Sequence, residues 1–221
     1  LAPYGVFSLL LTLFAVKGIG VIGDLSKFFF LLLFVLLFHA LVTYGLFVTL
    51  IAKLNPITFF SKLRSLSVFA FSTSSSSATM PVTLRTVTTK LGVKPSIGSF
   101  TVPLGATVNM DGTAIMQGIA TVFIAQAYNI DLTTIDYLMV ILTATLASIG
   151  TAGVPGVGLI MLAMVLEQVG LPVEGIALII GVDRLLDMTR TVVNVCGDSM
   201  VSCVVAKSEG EFDKEIFDRK I

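Results

Sequence analysis

From Phe28 to Ala52 the chain reads FFFLLLFVLLFHALVTYGLFVTLIA, without one formally charged residue. A helix needs about 20 consecutive apolar residues to cross a bilayer core, and this run exceeds that. A helix apolar on every face is buried in a large core or faces lipid. The remaining composition decides for lipid. Of 221 residues, 55% are apolar and 13% charged, and the mean hydropathy is +0.99. Such values describe a polytopic membrane protein. The formal net charge is zero, which removes the electrostatic case for a nucleic-acid partner. Cys196 and Cys203 lie in an apolar stretch and suggest neither a disulfide framework nor a zinc site. The opening run, Ala2 to Val16, reads as a truncated span, and the chain as a piece of a longer one.

Two further apolar segments do not fit the span template. Pro56 to Leu91 is interrupted by the serine run Ser72 to Ser77 and by Pro81, and Leu132 to Leu171 by SIGTAGVPGVG at 148–158. Each half is roughly 10 to 17 residues, too short to cross alone. Non-helical backbone at membrane depth survives only where protein buries it or where it lines a wet cavity. Paired interruptions of this kind point to a transporter's binding site, formed where half-helices meet. A third segment, Ile97 to Asn129, is long enough to span but carries Gly105, Asn109, Asp111 and Gly112 in its middle.

Charge placement favours hairpins that return to their own side. On that layout one face holds Lys53, Lys62, Arg64, Arg85, Lys90, Lys94, Lys207, Lys214, Arg219 and Lys220. The other holds Lys17 and Lys27 among the acids Asp24, Asp131, Asp136, Glu167 and Glu174. The basic face is then cytoplasmic. The mixed-charge end after Lys207 reads as a frayed, solvated tail.

The last span, Gly175 to Ala206, contains DRLLDMTRTVVNVCGD at 183–198. At about 100° per residue, Asp183, Asp187, Arg190, Asn194 and Asp198 fall within an arc of about 80°. Charges at this depth are costly and functional by default. An ion-pair network that merely holds helices together needs two opposite charges; five polar groups with a net negative charge ask for a cation or solute. The Arg190 guanidinium fork suits a carboxylate, and Asp187 an ammonium group. Together they match an amino acid with a second carboxylate. Asn194 and Asp198 offer hard oxygens to a small cation such as sodium. In GATVNMDGT, residues 105–113, Asp111 is a lone acid among apolar neighbours, either protonated or holding a cation. Oxygen-only donors there argue against zinc or copper. A helix kink with a buried polar plug is the bland alternative.

Four stretches, SSSSATMPVT, PLGATVNMDGTAIMQG, LASIGTAGVPGVG and DRLLDMTRTVVNVCGD, together closely resemble the glutamate/aspartate transporter family, the dicarboxylate/amino acid:cation symporters. The resemblance implies an all-α polytopic membrane protein of transmembrane helices plus two re-entrant helical hairpins, a partial glutamate-transporter-like fold. Residues 1–22 would end a scaffold, as a fifth-span-like helix. Residues 23–207 would form the transport domain: span 23–54, hairpin one 56–91, span 97–129, hairpin two 132–171 and span 174–206. Residues 208–221 would be a cytoplasmic tail. The family's first four spans are not in this sequence.

By position, the resemblance assigns the solute to Ser75, Ser76, Thr113, Val154, Gly158, Asp187, Arg190, Thr191 and Asn194. One sodium site would use Gly105, Asn109, Asn194 and Asp198. A second would use Thr107 with carbonyls of Ser148, Ile149 and Thr151. A third would use Asn109 and Asp111, completed by a span absent here. Relatives for neutral amino acids replace the arginine at 190, and those for C4-dicarboxylates lack the acid at 187. This chain keeps both, so it looks like a sodium-coupled carrier of L-aspartate or L-glutamate, an elevator-type symporter with no organic cofactor. The resemblance also implies a homotrimer assembled through scaffold helices, in the plasma or inner membrane and surrounded by lipid. A C4-dicarboxylate or neutral amino acid symporter, or an ion channel, are the alternatives.

The chain departs from the family in one charge. An extra arginine common in the first tip or last span is replaced by Ser74 and Met188, and Arg184, one turn before Met188, is the substitute the sequence offers. An intramembrane hydrolase is the competing enzyme class. The chain's single histidine, His39, sits in the uncharged span with no nucleophile motif near it and reads as a core or interface residue. A paired-aspartate protease would leave the glycine-rich second hairpin without a role.

Overall fold

The structure is a computed structural model and describes Phe7, Leu11 and residues 21–219. The expected scaffold helix, residues 1–22, therefore lies almost wholly outside the described residues. Among these, every regular element is helical, and the one β-type pairing is a bridge between Val93 and Phe212.

Helix α1, Val21–Phe38, buries Leu25, Phe28, Leu32 and Leu36 at three- and four-residue intervals. Its other faces leave Phe30, Phe34 and Phe38 exposed, an apolar surface suited to lipid. The helix runs on through π-helical turns, His39–Tyr44 and Phe47–Ile51, so that Ile22–Ile51 is continuous and long enough to cross a membrane. The wider π turns advance the register beyond what a 3.6-residue period predicts. Tyr44 thereby points inward and is only 1% exposed.

Helices α2, Pro56–Thr73, and α3, Ser76–Thr89, form the first helical hairpin. Asn55 caps α2 by accepting hydrogen bonds from the amides of Ile57 and Thr58, with Pro56 at the first helical position. The helix ends at Ser74 in the left-handed conformation, φ 51°, and Ser75 starts α3 by accepting from the Ala78 amide. The interruption is thus Ser74 and Ser75 alone. Pro81, expected to contribute to the break, lies inside α3. It is exposed and near the helix start, and membrane helices tolerate the loss of one such bond. The base of this hairpin is closed by Lys62 Nζ, which donates to the Lys90 carbonyl at 2.9 Å.

The segment expected as one span, 97–129, is instead two helices, α4, Pro95–Val108, and α5, Asp111–Ala127, parted at Asn109 and Met110. The second hairpin pairs α6, Thr134–Ile149, with α7, Val157–Gln168, around an unwound tip. Thr133 and Asp136 form a capping box at the start of α6. A 3₁₀ turn, Val173–Leu178, leads into the 29-residue α8, Ile180–Ser208.

Helix α8 is the centre of the fold and packs against α1, α2, α3, α4 and α5. Small residues along it, Gly197, Ser199, Ser202, Cys203 and Ala206, permit close helix approach. The chain's end is not a loose tail. Helix α9, Lys214–Asp218, docks against the first hairpin's base with Phe217 1% exposed. The Gly92 carbonyl accepts from the Asp213 amide at 2.7 Å, and Lys94 pairs with Glu211. The solvated tail expected from its mixed charge is corrected here: Phe212 and Phe217 give it an apolar anchor.

Candidate functional site

The polar stripe expected on the last span is present and faces inward. Asp183, Asp187, Arg190, Asn194 and Asp198 are each at most 9% exposed. The 3.6-residue period puts them on one side of α8, and the broken elements gather opposite that side.

Arg190 is held between two carboxylates. Its Nη1 donates to Asp183 Oδ1 at 2.6 Å and its Nη2 to Asp187 Oδ1 at 2.9 Å. Nε, fully buried, has no hydrogen-bond partner among the described residues. Asp187 Oδ2 in turn accepts the Gly156 amide at 3.2 Å, tying α8 to the second tip. Asp183 was visible in the sequence as part of the stripe, but not as the first claimant on the guanidinium.

Both hairpin tips arrive at this stripe and touch each other. Ser75 Oγ donates to the Gly153 carbonyl at 2.6 Å, and the Ser77 amide donates to the same oxygen at 3.0 Å. A Cβ at Gly153 would stand 2.8 Å from Ser77 Oγ, so only glycine permits the approach. Between the tips and α8 lies a cavity of about 20 Å³. Of the residues expected at the solute site, Ser76, Thr113, Val154, Gly158, Asp187, Arg190, Thr191 and Asn194 line it. Ser75 does not; its side chain is spent on the tip contact and the α3 cap. That volume admits one water molecule and no amino acid. A larger occupant would fit only with the tips parted.

A second polar cluster lies at the α4–α5 break. Asn109 Nδ2 donates to Asp198 Oδ1 at 2.9 Å and to the Asn194 carbonyl at 3.3 Å. Asn194 Oδ1 accepts the Gly112 amide at 2.8 Å. A Cβ at Gly105 would sit 2.5 Å from Asp198 Oδ1, which explains the glycine. Gly105, Asn109, Asn194 and Asp198 are thus brought together, with the Asn109 amide nitrogen bonded to the Asp198 and Asn194 oxygens and the Asn194 amide nitrogen 3.2 Å from Met110 Sδ. Thr107 is exposed and its hydroxyl donates to the Leu104 carbonyl at 2.9 Å. The Ser148 and Thr151 hydroxyls likewise bond within their own helix, and Ile149 is exposed. α4 and α6 are in contact, but among the described residues no hydrogen bond joins Thr107 to Ser148, Ile149 or Thr151.

Asp111 is not the lone acid the sequence suggested. Its Oδ2 accepts from Tyr44 Oη at 2.9 Å and lies 3.1 Å from His39 Nε2. The π-helical turns of α1 bring both partners in, and a regular helical reading of that span hides them. Arg184 is exposed and outside the cavity lining, and it has no ion pair among the described residues; its service as the missing positive charge gains nothing from the geometry.

Comparison with known proteins follows the same lines. The profile of the Sodium:dicarboxylate symporter family matches residues 1–208. The chain is similar to the "Proton/glutamate-aspartate symporter" of Escherichia coli (strain K12), 40% identical over 97% of this chain and 48% of that protein. It is 41% identical to "Excitatory amino acid transporter 1" of Rattus norvegicus over 92% of this chain and 38% of that one. The "Proton/sodium-glutamate symport protein" of Bacillus subtilis (strain 168) is 38% identical over 96% of this chain and 49% of its own length. The chain thus spans about half or less of these relatives. Its profile match, its paired hairpin tips and its buried α8 stripe agree: the chain belongs to the sodium:dicarboxylate symporter family.

Proposed function

We propose that the protein is a secondary active transporter for acidic amino acids, L-aspartate or L-glutamate, driven by sodium symport. The observation that carries this reading is the pairing of Asp187 and Arg190 at one cavity, with the buried Arg190 Nε unpartnered. The solute's side-chain carboxylate takes the Nε and Nη2 edge of the fork, displacing Asp187 from Nη2. Asp187, released, takes the amino group. The α-carboxylate meets the first tip at Ser76 and the amide of Asn194, where half-helix starts favour an anion.

Sodium binds the oxygen cluster of Gly105, Asn109, Asn194 and Asp198. A second ion takes Thr107 with the carbonyls at Ser148, Ile149 and Thr151. Asp111, whose side chain is 40% exposed, serves with Asn109 in a third site, its open side completed by a span outside this chain. Ions near the tips stabilise the tips closed over bound solute, an arrangement wider than the touching one, and thereby raise solute affinity; the reverse follows by linkage.

Both hairpins are re-entrant, the C-terminal end is cytoplasmic, and the whole assembles as a homotrimer in which residues 1–22 belong to the fixed scaffold. The second tip opens and closes, and the remaining helices move as a body in an elevator-type cycle. Two of the named relatives are proton symporters by their printed names, so the coupling ion is the point to test. Uptake of labelled L-aspartate into proteoliposomes under an imposed sodium gradient is the experiment. Concentrative uptake that a proton gradient alone does not drive is the expected result. Uptake driven only by protons, or passive flux without concentration, contradicts the reading.

A further inference from the structure

At the end of the molecule remote from the acidic stripe, a hollow of about 770 Å³ opens at the base of the first hairpin. Four cationic side chains line it, Lys62, Arg64, Lys90 and Arg219, against one carboxylate, Asp218. Among the described residues none of the four is in an ion pair. Lys62 is the most telling. It is 3% exposed, and its Nζ donates to the carbonyls of Lys90 and Ile216 at 2.9 and 2.8 Å. Nζ also stands 5.5 Å from the centre of the Phe217 ring, so Lys62 is fixed in place at the floor of the hollow. Lys90 Nζ is positioned by donation to Ser65 Oγ at 2.8 Å. Asp218 offsets one of the four positive charges, and the remaining excess of three repels unless a further anion joins it.

We propose that this hollow binds a phosphate group, and that an anionic phospholipid presents it. Two arginine forks and two ammonium groups suit phosphate oxygens, and basic pockets at helix ends are where lipid head groups lodge. The volume accommodates a head group. The wall of the hollow formed by α2 supplies the place for an acyl chain. Ile57, Ser61, Arg64 and Val68 follow each other at helical spacing on one face, with Ile57 79% and Val68 71% exposed. A phosphate at Arg64 thus has an apolar track on either side. Because Arg219 follows α9 while Lys62 and Lys90 belong to the hairpin, the bound phosphate fastens the chain's end to the hairpin base. This site is independent of the proposed transport chemistry.

The test uses the full-length transporter in nanodiscs of phosphatidylcholine alone, of equimolar phosphatidylcholine and phosphatidic acid, and of phosphatidylcholine with inorganic phosphate added. Hydrogen exchange of the amides at 211–219 is the readout. Phosphatidic acid slows it by about threefold or more in the parent protein, as ligand linkage requires, and has no effect in the Arg64→Gln/Arg219→Gln variant, whose altered residues are exposed and leave the fold intact. Slowing by inorganic phosphate as well supports the same phosphate site and assigns it to the soluble anion too. No slowing by either, or slowing that survives unchanged in the double variant, overturns the proposal.

Discussion

Ser75 and Gly153 join the two hairpins tip to tip: the serine hydroxyl donates to the glycine carbonyl across 2.6 Å, in a buried setting. A run of serines inside an apolar chain is thereby explained. The residues unwind one helix pair, cap its second helix and grip the other pair. Ser75→Ala removes that bond and the Ala78 cap together. A neutral buried hydrogen bond contributes about 1 kcal/mol, roughly a fivefold change in an equilibrium. The expected outcome is faster hydrogen exchange across residues 150–156. Unchanged exchange would mean that the tips do not depend on each other.

Arg190 pairs with both Asp183 and Asp187 in a buried triad. Arg190→Ala leaves two carboxylates without their cation, and breaking a buried pair costs about 3–5 kcal/mol. The variant should lose acidic-solute selectivity and melt earlier. Adding Asp183→Asn should recover part of the thermal stability while solute binding stays lost. Melting curves and aspartate binding on the single and double variants separate the two roles.

Gly105 has no room for a side chain because Asp198 Oδ1 occupies the space. Gly105→Ala forces the carboxylate aside, and Asp198→Asn removes its charge. Both should weaken the sodium dependence of aspartate binding, by about tenfold in half-saturating sodium for a loss of about 1.4 kcal/mol. Titration of aspartate affinity against sodium measures it. Unaltered dependence in Asp198→Asn counts against this carboxylate as a sodium ligand.

Phe217 anchors the chain's end under the hairpin base, with Lys62 Nζ 5.5 Å from its ring centre. Phe217→Ala should destabilise this docking by about 3 kcal/mol or more, the range for truncating a buried phenylalanine. The result expected is rapid exchange at 211–219 and an unchanged core.

The elements that sequence alone reveals are those with a periodic or compositional signal. The α8 stripe follows from helical spacing of Asp183, Asp187, Arg190, Asn194 and Asp198. The unwound positions at Ser74 and Gly150 to Gly156 follow from serine and glycine at membrane depth, whereas the break at Asn109 falls inside what reads as one span, 97–129. Three features escape such reading. Pro81 looks like a breaker, yet one lost bond near a helix start is tolerated. Tyr44 and His39 reach Asp111 only because π-helical turns shift their faces, and no residue pattern in an all-apolar run marks such turns. The chain's end looks soluble by charge, but its two phenylalanines and the Val93–Phe212 bridge settle it against the hairpin. Long-range pairings of this kind have no local signature.

The most direct measurement is calorimetric titration of L-aspartate into the purified full-length transporter across a series of sodium concentrations, at constant ionic strength and pH. One site built jointly by solute groups and cation oxygens requires affinity to climb steeply as sodium rises, with proportionate tightening of sodium by aspartate. Aspartate affinity that stays flat from sodium-free buffer upward would contradict it.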